Sequence, residues 1–479
     1  MSATRVRRAK NKPMAAIFDL SSVKHAYLIG IKGTAMEALA EIFTARGIQV
    51  TGSDVSDIFY TDELLNDMGI RAHIGFDQNH IPPNADLIVH STAYTAENNP
   101  EVAFAKSRDL PVISYPEALS MLFAGHIGIA VTGTHGKTTT TAMLGEILRK
   151  EELSPTVLVG SKVMNWGRST LAGSGVHFIA EADEYQNKLR FYQPHGVVVT
   201  NIDYDHPDFF KTEEEYAGVF KEFFLKIPRA GFLVYNINDS KSAALADSLQ
   251  CRTVSFGEGD ADFVLLSRNA TSMGQVFRFG ARSDGKEYEC MLQLSGRHNA
   301  VNALAAIAAA AELGVAISAS ITSLAGFKSS ERRFQEMGRT ENGGVLFDDY
   351  AHHPEEIKAT LKGARERFPD KKIIAAFHPH TFSRTKALFD SFAQAFGLAD
   401  VVYILDIYAS ARENASAADV HSRDLVERIK QNGVDAEYVP TIADLAPIIA
   451  REMDKDTVFI SMGAGDIWKI HGEIKKKGF

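Results

Sequence analysis

Short runs of apolar, β-branched residues alternate with helical segments from one end of the chain to the other. The runs His25–Ile29, Ile127–Val131 and Ile373–Phe377 are typical of buried strands, and Thr138–Arg149 and Ala300–Leu313 fit helices. This alternation predicts parallel sheets with helices on both faces, which is the doubly wound α/β class. Ligands of such folds bind at the carboxyl ends of the strands.

The same pattern divides the chain into a tail and three α/β domains. The segment Phe263–Leu294 alternates apolar and polar residues around turn signals such as Asp284-Gly285, which predicts an antiparallel ribbon added to a central parallel sheet. The first and third domains are expected to be Rossmann-like. The predicted boundaries are 1–21 for a basic disordered tail, 22–124 for the first domain, 125–330 for the central domain and 331–479 for the third domain.

Composition narrows the class of protein. Of 479 residues, 45% are hydrophobic and 23% are charged, which is typical of a globular protein. The net charge of −9 argues against a nucleic-acid or anionic-membrane partner, and no apolar stretch is long enough to span a bilayer. Two cysteines, Cys251 and Cys290, favour a reducing compartment, so we expect a cytoplasmic location.

The stretch Gly133–Thr139 joins the strand Ile127–Val131 to a predicted helix. A strand, a glycine-rich turn ending in Gly-Lys-Thr and a helix are typical of a nucleotide-phosphate site, because backbone N–H groups and the helix N-terminus attract anions. Lys137 is expected to reach the β- and γ-phosphates, and Thr138 to offer its hydroxyl to Mg²⁺. An ordinary strand–helix turn is the alternative, because the loop is shorter than the common spacing. The candidates are Gly133, Thr134, His135, Gly136, Lys137, Thr138 and Thr139.

A second glycine-rich turn follows the first strand and precedes a helix. Its Gly-x-x-Gly spacing disfavours NAD, but a diphosphate at the helix start and a hydroxyl bound by a downstream acid would suit a nucleotide-sugar. Hydroxyls at the end of a third strand could complete an anion cradle. The alternative is a tight turn without a ligand. The candidates are Gly30, Gly33, Thr34, Ala35, Met36, Asp54, Ser91 and Thr92.

Two acidic clusters end strands of the central domain. Mg²⁺ takes oxygen ligands and keeps several waters, so one or two protein groups for each ion suffice. We expect Glu181 and His206 to hold a second metal ion, with Thr138 at the first. Histidine is an unusual Mg²⁺ ligand, so contact between His206 and a phosphate is one alternative. Helix capping and solvated loops are the others.

Further polar groups begin the Ala-rich helix and lead into the third domain. His298, Asn299 and Asn302 stand at the helix start, where such residues either cap the helix or bind a base edge. Arg332 and Arg333 form either a solvated edge or a pair that neutralises phosphoryl charge from a neighbouring domain.

Acids, imidazoles and a guanidinium follow the first two strands of the third domain. The segments Phe347–Pro354 and Phe377–Thr385 carry them, and the second is cationic and would suit a carboxylate or phosphate ligand. A surface turn is the alternative for either segment. The candidates are Asp349, Tyr350, His352, His353, His380 and Arg384.

Taken together, these motifs resemble the Mur ligase family of peptidoglycan synthesis over nearly the whole chain after residue 22. The resemblance rests on Gly133–Thr139, Glu181–Glu184, Thr200–Asp203 followed by Asp205-His206, and Gly296–Asn299. In the third domain, Asp348–Pro354, His378–Thr385 and Met462–Ile467 are similar to the branch that joins L-alanine to UDP-N-acetylmuramate. The chain departs from the family at Lys32 and Ala35, because the first turn of the family is usually richer in glycine, and Tyr185 is more typical of the branch that recycles a ready-made tripeptide.

The resemblance implies an ATP-dependent amide-bond ligase with the substrates ATP, UDP-N-acetylmuramate and L-alanine, and with Mg²⁺. It implies that the muramate carboxylate attacks the γ-phosphorus to give an acyl phosphate, which the amine of alanine then attacks. Lys137, Glu181, His206 and Arg333 would be the catalytic residues, and a closing third domain would bring Arg333 to the phosphates. His298, Asn299, Asn302, Arg332 and Asp349 are assigned to ATP, and Tyr350, His352, His353, His380 and Arg384 to the amino acid, although sequence alone does not divide these roles.

Two other functions remain open at this point. One is the recycling ligase, which adds a tripeptide to UDP-N-acetylmuramate. The other is a non-catalytic regulator that binds a nucleotide and a UDP-sugar without turnover. A monomer or a homodimer is expected for the assembly, with no nucleic-acid or membrane partner.

Overall fold

The computed structural model describes residues 20–59, 61–206, 209–271, 273–408 and 420–476, so residues 1–19 of the predicted tail lie outside the described part. The chain forms two compact units, residues 1–126 and 127–479. Within the described ranges, none of the helices has the length and apolar character needed to cross a membrane.

The first unit is a parallel sheet of five strands in the order β3-β2-β1-β4-β5. This order confirms the predicted Rossmann-like domain, whose ligand edge lies where the order reverses beside β1. The elements are β1 His25–Ile29, α1 Thr34–Ala45, β2 Gln49–Asp54, α2 Thr61–Asp67, β3 His73–Ile74, β4 Leu87–His90, α3 Pro100–Ser107, β5 Val112–Ser114 and α4 Tyr115–Ala124.

The second unit begins with the central domain, whose sheet has the order β15-β14-β13-β12-β11-β10-β6-β9-β7-β8. The strands from β13 to β15 form the predicted antiparallel ribbon. A second antiparallel pair, β7 with β8, was not predicted. The elements are β6 Ile127–Thr132, α5 Lys137–Lys150, β7 Thr156–Val163, β8 Arg168–Ala172, β9 His177–Glu181, β10 Gly196–Val199, α6 Glu213–Phe224, β11 Phe232–Asn236, α7 Ser240–Ala246, β12 Arg252–Gly257, β13 Phe263–Thr271, β14 Gly274–Ala281, β15 Lys286–Leu292, α8 Arg297–Glu312 and α9 Ile317–Ala325.

The Ala-rich helix α8 packs against α5 in the core of the central domain. Its residues from Asn299 to Ala310 are all buried. Small side chains allow the two helices to approach closely, so Asn302 near the start of α8 contacts the turn that precedes α5. Helix packing therefore brings two of the predicted site segments together.

The third domain, also in the second unit, has a sheet in the order β16-β17-β21-β18-β19-β20. Every strand is parallel to its neighbours except β16, and apolar clusters lie on both faces, as the doubly wound class requires. The elements are β16 Gln335–Arg339, β17 Val345–Asp349, α10 Pro354–Arg367, β18 Lys372–Phe377, α11 Phe382–Ala387, α12 Phe389–Ala393, β19 Val401–Ile404, α13 Ser422–Gln431, β20 Ala436–Tyr438, α14 Ile442–Glu452, β21 Thr457–Met462 and α15 Ile470–Lys476.

Candidate active site

The turn between β6 and α5 needs its two glycines. Gly133 has φ +124° and Gly136 has φ +81°, which are angles that favour glycine. A Cβ atom on Gly133 would lie 2.3 Å from Thr200 Oγ1, and one on Gly136 would lie 2.5 Å from Asn302 Oδ1. The backbone of the turn is therefore held against two neighbouring elements, with its N–H groups at the start of α5.

Lys137, the first residue of α5, points back over this turn. Its Nζ donates to the Thr134 carbonyl oxygen at 3.1 Å and lies 3.1 Å from Glu184 Oε2. Burial would lower the pKa of Lys137, but Glu184, Asp183 and Glu181 raise it above its usual value. The ammonium is therefore charged, as phosphate binding requires.

The predicted metal residues Thr138 and Glu181 contact each other. The Thr138 hydroxyl donates to Glu181 Oε1 at 2.8 Å, and the Gly160 N–H donates to Oε2 at 2.6 Å. A hydroxyl and a carboxylate oxygen thus lie side by side at the start of α5. Both groups offer oxygen ligands of the kind that a hard divalent cation binds.

His206 was expected to share a metal ion with Glu181, and it also lies close to two other acids, Asp183 and Glu184. Its Nε2 is 3.9 Å from Glu184 Oε1, and the ligand atoms of Asp183, Glu184 and His206 lie within 4.8 Å of one another. Burial raises the pKa of Glu184, against the charge of Lys137. Sequence reasoning did not select Asp183 or Glu184, although both belong to the motif that contains Glu181.

A first cavity of about 220 Å³ lies between the phosphate turn and the third domain. It joins residues that are far apart in sequence but were predicted to share a nucleotide. Its lining includes His135, Gly136, Thr139, His298, Asn299, Asn302, Arg333 and Asp349.

A second cavity of about 310 Å³ lies on the other side of the turn. It brings the predicted phosphate and metal residues to groups from the third domain. Its lining includes Lys137, Thr138, Glu181, His206, Arg332, Arg333, Tyr350 and His352.

The two adjacent arginines differ in their surroundings. The Arg332 guanidinium donates to Asp348 Oδ2 at 2.8 Å and to the carbonyl oxygens of Gly463 and Gly465, so it is held within the third domain. Both guanidiniums lie over the Tyr350 ring, but Arg333 lines both cavities, whereas Arg332 lines the second. Arg333 is therefore better placed than Arg332 to meet phosphoryl charge.

Two groups of the first cavity have shifted pKa values because they are buried. Burial raises the pKa of Asp349 to about 6, against the charge of Arg333. Burial, together with Arg333, lowers the pKa of His298 to about 4. His298 is therefore neutral at physiological pH and can accept a hydrogen bond through one ring nitrogen.

The residues expected at the amino-acid site fall into two groups. Burial lowers the pKa of His352 to about 3, and both His352 and Tyr350 line the second cavity. His353, His380 and Arg384 lie outside the lining of either cavity. His353 caps α10, the His380 ring stacks on Tyr408 at 5.6 Å, and Arg384 pairs with buried Asp205 at 3.2 Å.

In the first unit, Asp54 supports the glycine-rich turn. Its Oδ2 accepts the Lys32 N–H at 2.7 Å, and its Oδ1 accepts the Val55 N–H at 2.8 Å. Both oxygens of this buried carboxylate thus accept a backbone N–H, so Asp54 fixes the shape of the turn. Gly30 has φ +83° and Gly33 is the N-cap of α1.

Other predicted residues of this edge remain open to solvent. Gly33, Ala35 and Thr92 are exposed, whereas Met36 is buried; Thr34 and Ser91 are half-buried. Lys32, which departs from the family pattern, is only 4% exposed and its Nζ lies 3.0 Å from Asp62 Oδ1. Its charge is thus directed toward α2.

Family models match three consecutive segments of the chain. The model described as Mur ligase family, catalytic domain, matches residues 25–126. The Mur ligase middle domain matches residues 131–310, and the Mur ligase, glutamate ligase domain, matches residues 332–465. These segments coincide with the three sheets.

Relatives and solved structures match over nearly the full length. The chain is 40% identical over 451 residues to the UDP-N-acetylmuramate–L-alanine ligase of Desulfitobacterium hafniense strain Y51, which covers 93% of this chain and 98% of the relative. The crystal structure of the UDP-N-acetylmuramate–alanine ligase of Thermotoga maritima matches with a TM-score of 0.79 and 27% identity, over 95% and 98% of the two chains. A murein peptide ligase of Psychrobacter arcticus matches with a TM-score of 0.69 and 25% identity, over 95% and 98%.

Proposed function

The chain belongs to the Mur ligase family, and from that premise we propose that it joins L-alanine to the carboxylate of UDP-N-acetylmuramate with ATP, in peptidoglycan precursor synthesis. One observation carries the proposal. The phosphate-loop groups Lys137 and Thr138 share a cavity with Arg333, Tyr350 and His352 of the third domain. Such a cavity suits the transfer of a phosphoryl group next to an acceptor.

Activation of the carboxylate is the first chemical step. A carboxylate oxygen of the muramate attacks the γ-phosphorus of ATP, the bond to the β-phosphate oxygen breaks, and ADP leaves. Lys137 and Arg333 would neutralise the charge that develops on the phosphoryl oxygens. Because both groups are fixed by packing, catalysis would depend mainly on positioning and charge.

Amide formation is the second step. The neutral amine of L-alanine attacks the acyl carbon, the amine loses a proton, and inorganic phosphate leaves with the former carboxylate oxygen. We assign Tyr350 and His352, which line the second cavity, to the acceptor side. Arg384, His380 and His353 stay candidates for binding the amino-acid carboxylate.

Mg²⁺ fits the donors at the start of α5. Thr138 Oγ1 and Glu181 Oε1 would hold one ion, and His206 with Glu184 and Asp183 would hold a second. When bound, Mg²⁺ supplies positive charge that stabilises the phosphate oxygens. The oxygen-rich donor set is the basis for preferring this metal.

The nucleotides would bind at two separate sites. We assign the adenine and ribose of ATP to the first cavity, where His298, Asn299, Asn302 and Asp349 converge. We assign the UDP diphosphate to the turn from Gly30 to Thr34, because the N-terminus of α1 is exposed there and attracts anions. Asp54 would serve this site by fixing the turn. Both nucleotides are cytoplasmic metabolites, so we propose a cytoplasmic reaction.

L-alanine is favoured over the tripeptide as acceptor. The 40% identical relative is an L-alanine ligase, and the Thermotoga maritima L-alanine ligase is a closer structural match than the murein peptide ligase. Charged Lys137 and paired metal donors favour catalysis over regulation without turnover.

A phosphate-release assay tests this function. Wild-type protein is given ATP, UDP-N-acetylmuramate and Mg²⁺, with L-alanine, glycine, L-serine or the tripeptide in separate reactions. L-alanine should support the highest kcat/KM for ADP and phosphate formation. Turnover with the tripeptide alone would identify the recycling ligase, and binding without ADP formation would identify a regulator.

A further inference from the structure

Glu356 lies in the wall that separates the two cavities. It is near the start of α10, is 12% exposed, and lines both cavities together with Gly136 and Arg333. The metal, phosphate and acceptor residues proposed above do not include it. Its position makes it a point where the third domain meets the phosphate turn.

One oxygen of Glu356 has a structural role. Oε2 accepts the backbone N–H of His352 at 3.0 Å and of His353 at 3.3 Å, and it lies 3.2 Å from His352 Nδ1. These contacts close a capping box at the start of α10. Helix capping therefore accounts for Oε2 alone.

The other oxygen faces groups outside α10. Oε1 lies 3.3 Å from Nδ1 of His135 in the phosphate turn and 3.7 Å from the guanidinium of Arg333. A capping box needs neither partner. In the comparable box at the start of α4, Glu117 serves Ser114, through the backbone N–H and the hydroxyl, both at 2.7 Å.

The charge of Glu356 is maintained by these partners. Burial would raise its pKa, but contacts with His352, His135 and Arg333 hold the pKa well below its usual value. The group is thus a carboxylate at neutral pH. A buried carboxylate fixes the positions of its cationic partners His135 and Arg333, since leaving either charge unpaired is costly.

We propose that Glu356 is a positioning residue for phosphoryl transfer, whose Oε1 aligns the phosphate turn through His135 and holds the Arg333 guanidinium toward both cavities. This inference rests on the proposed function. It adds a link between the central and third domains. The carboxylate of Glu356 would orient both the phosphate turn, which holds the nucleotide, and Arg333, which meets the phosphates.

The test compares Glu356→Gln with Glu117→Gln. Glutamine keeps a capping oxygen in both helices but removes the charge, so a change specific to Glu356→Gln reports on Oε1. We expect Glu356→Gln to lower kcat by about 10- to 100-fold and to raise the KM for ATP, as for loss of a charged hydrogen bond. The KM for UDP-N-acetylmuramate should change by less than about 2-fold, since the Oε1 partners of Glu356, His135 and Arg333, are assigned to ATP and its phosphates.

His135→Gln provides a second route that leaves the α10 cap intact. If Glu356 acts through His135, this variant should also lower kcat, and the double variant should lose less than the product of the two single effects. If the wild type is active but Glu356→Gln has the same kcat as Glu117→Gln, the inference about Glu356 is wrong while the proposed function stands. The same holds if His135→Gln leaves kcat unchanged. A wild type without turnover would refute the proposed function itself.

Discussion

The two glycine-rich turns have similar sequences, but their lysine side chains have different partners. Gly133–Lys137 and Gly30–Gly33 each join a parallel strand to a helix and each contain a lysine. Lys137 lines the second cavity, and the nearby acids Glu184, Asp183 and Glu181 raise its pKa and keep it charged. Lys32 is buried against Asp62 of its own domain.

This difference shows how one local motif serves two ligands. A turn that binds a γ-phosphate for transfer needs a cation next to the charge that develops on the transferred group. A turn that only holds a diphosphate can rely on backbone N–H groups and the helix N-terminus. We infer that Lys137 acts on the ligand, whereas Lys32 acts on the shape of the turn.

Removal of the Lys137 ammonium is expected to have the largest effect. Lys137→Ala should lower ATP turnover by about 10³-fold or more, because electrostatic stabilisation of the transition state is lost. Phosphate release measures this loss. Calorimetric titration should still detect binding of UDP-N-acetylmuramate; loss of that binding too would mean that the two turns do not serve separate sites.

Alanine at one glycine of each turn sharpens the comparison. Gly136→Ala places a Cβ 2.5 Å from Asn302, and Gly30→Ala places one 2.7 Å from the Tyr94 ring. Gly136→Ala should weaken ATP binding by about 10-fold or more, and Gly30→Ala should weaken UDP-N-acetylmuramate binding instead. Calorimetry with each nucleotide measures both.

Gly259→Ala is the matched control for these two variants. Gly259 has φ +90°, but a Cβ there meets no atom within 4 Å. It therefore reports backbone strain of about 1 kcal/mol without a steric clash. If Gly136→Ala and Gly30→Ala lose no more stability than Gly259→Ala and still bind both nucleotides normally, close packing of the turns is not needed for nucleotide binding.

Lys32→Met should affect stability more than catalysis. The substitution leaves Asp62 without its buried partner, so we expect a loss of about 2 kcal/mol in the free energy of unfolding of the first unit. The kcat at saturating substrate should stay within about 3-fold of wild type, since Lys32 is assigned no role in transfer. Lys241→Met, which breaks an exposed pair with Glu213, should cost under about 1 kcal/mol. A large kcat loss for Lys32→Met would place its charge at the reaction.

We expect His135, in the phosphate turn, to make a smaller contribution to stability that depends on pH. Burial lowers its pKa, but Asp203 and Glu356 raise the pKa overall to about 9. Since the folded value exceeds the unfolded value of about 6.5, its stabilisation is complete below pH 6.5 and is lost as the pH rises through 9. Thermal unfolding should show wild type losing about 1–2 kcal/mol more than His135→Gln between pH 6.5 and 9.5. If the free energies of unfolding of wild type and His135→Gln change with pH in parallel, His135 does not form stabilising ion pairs with Asp203 and Glu356.

Much of the fold follows from patterns visible in the sequence. The strand β1 was predicted with the residue bounds that the structure has, and the runs predicted for β6 and β18 differ from the observed strands by one residue, because each is a continuous apolar run between turn signals. The pair β7 and β8 was missed, because β7 is only partly buried and contains the exposed Gly160. Its pairing also shifts register, so no strict alternation marks it.

Sequence motifs predicted which residues belong to the site better than they predicted which of those residues contact each other. Thr138 and Glu181 were predicted for different metal ions, but their side chains contact each other. The grouping of His206 with Glu184 and the engagement of Asp54 by backbone depend on loop geometry that spacing does not encode. Glu356 was missed because a glutamate after a proline at a helix start is typical of a cap, and its second role requires a contact 221 residues away.

The central claim is that the Gly133–Lys137 turn activates a carboxylate. Its most direct test uses UDP-N-acetylmuramate with ¹⁸O in the muramate carboxylate, together with ATP and L-alanine, and mass analysis of the released phosphate. Transfer through an acyl phosphate predicts one ¹⁸O atom in each phosphate and a product amide that retains the other. Unlabelled phosphate would mean that ATP is hydrolysed by water, and the account of this turn as the activating half of a ligase would be wrong.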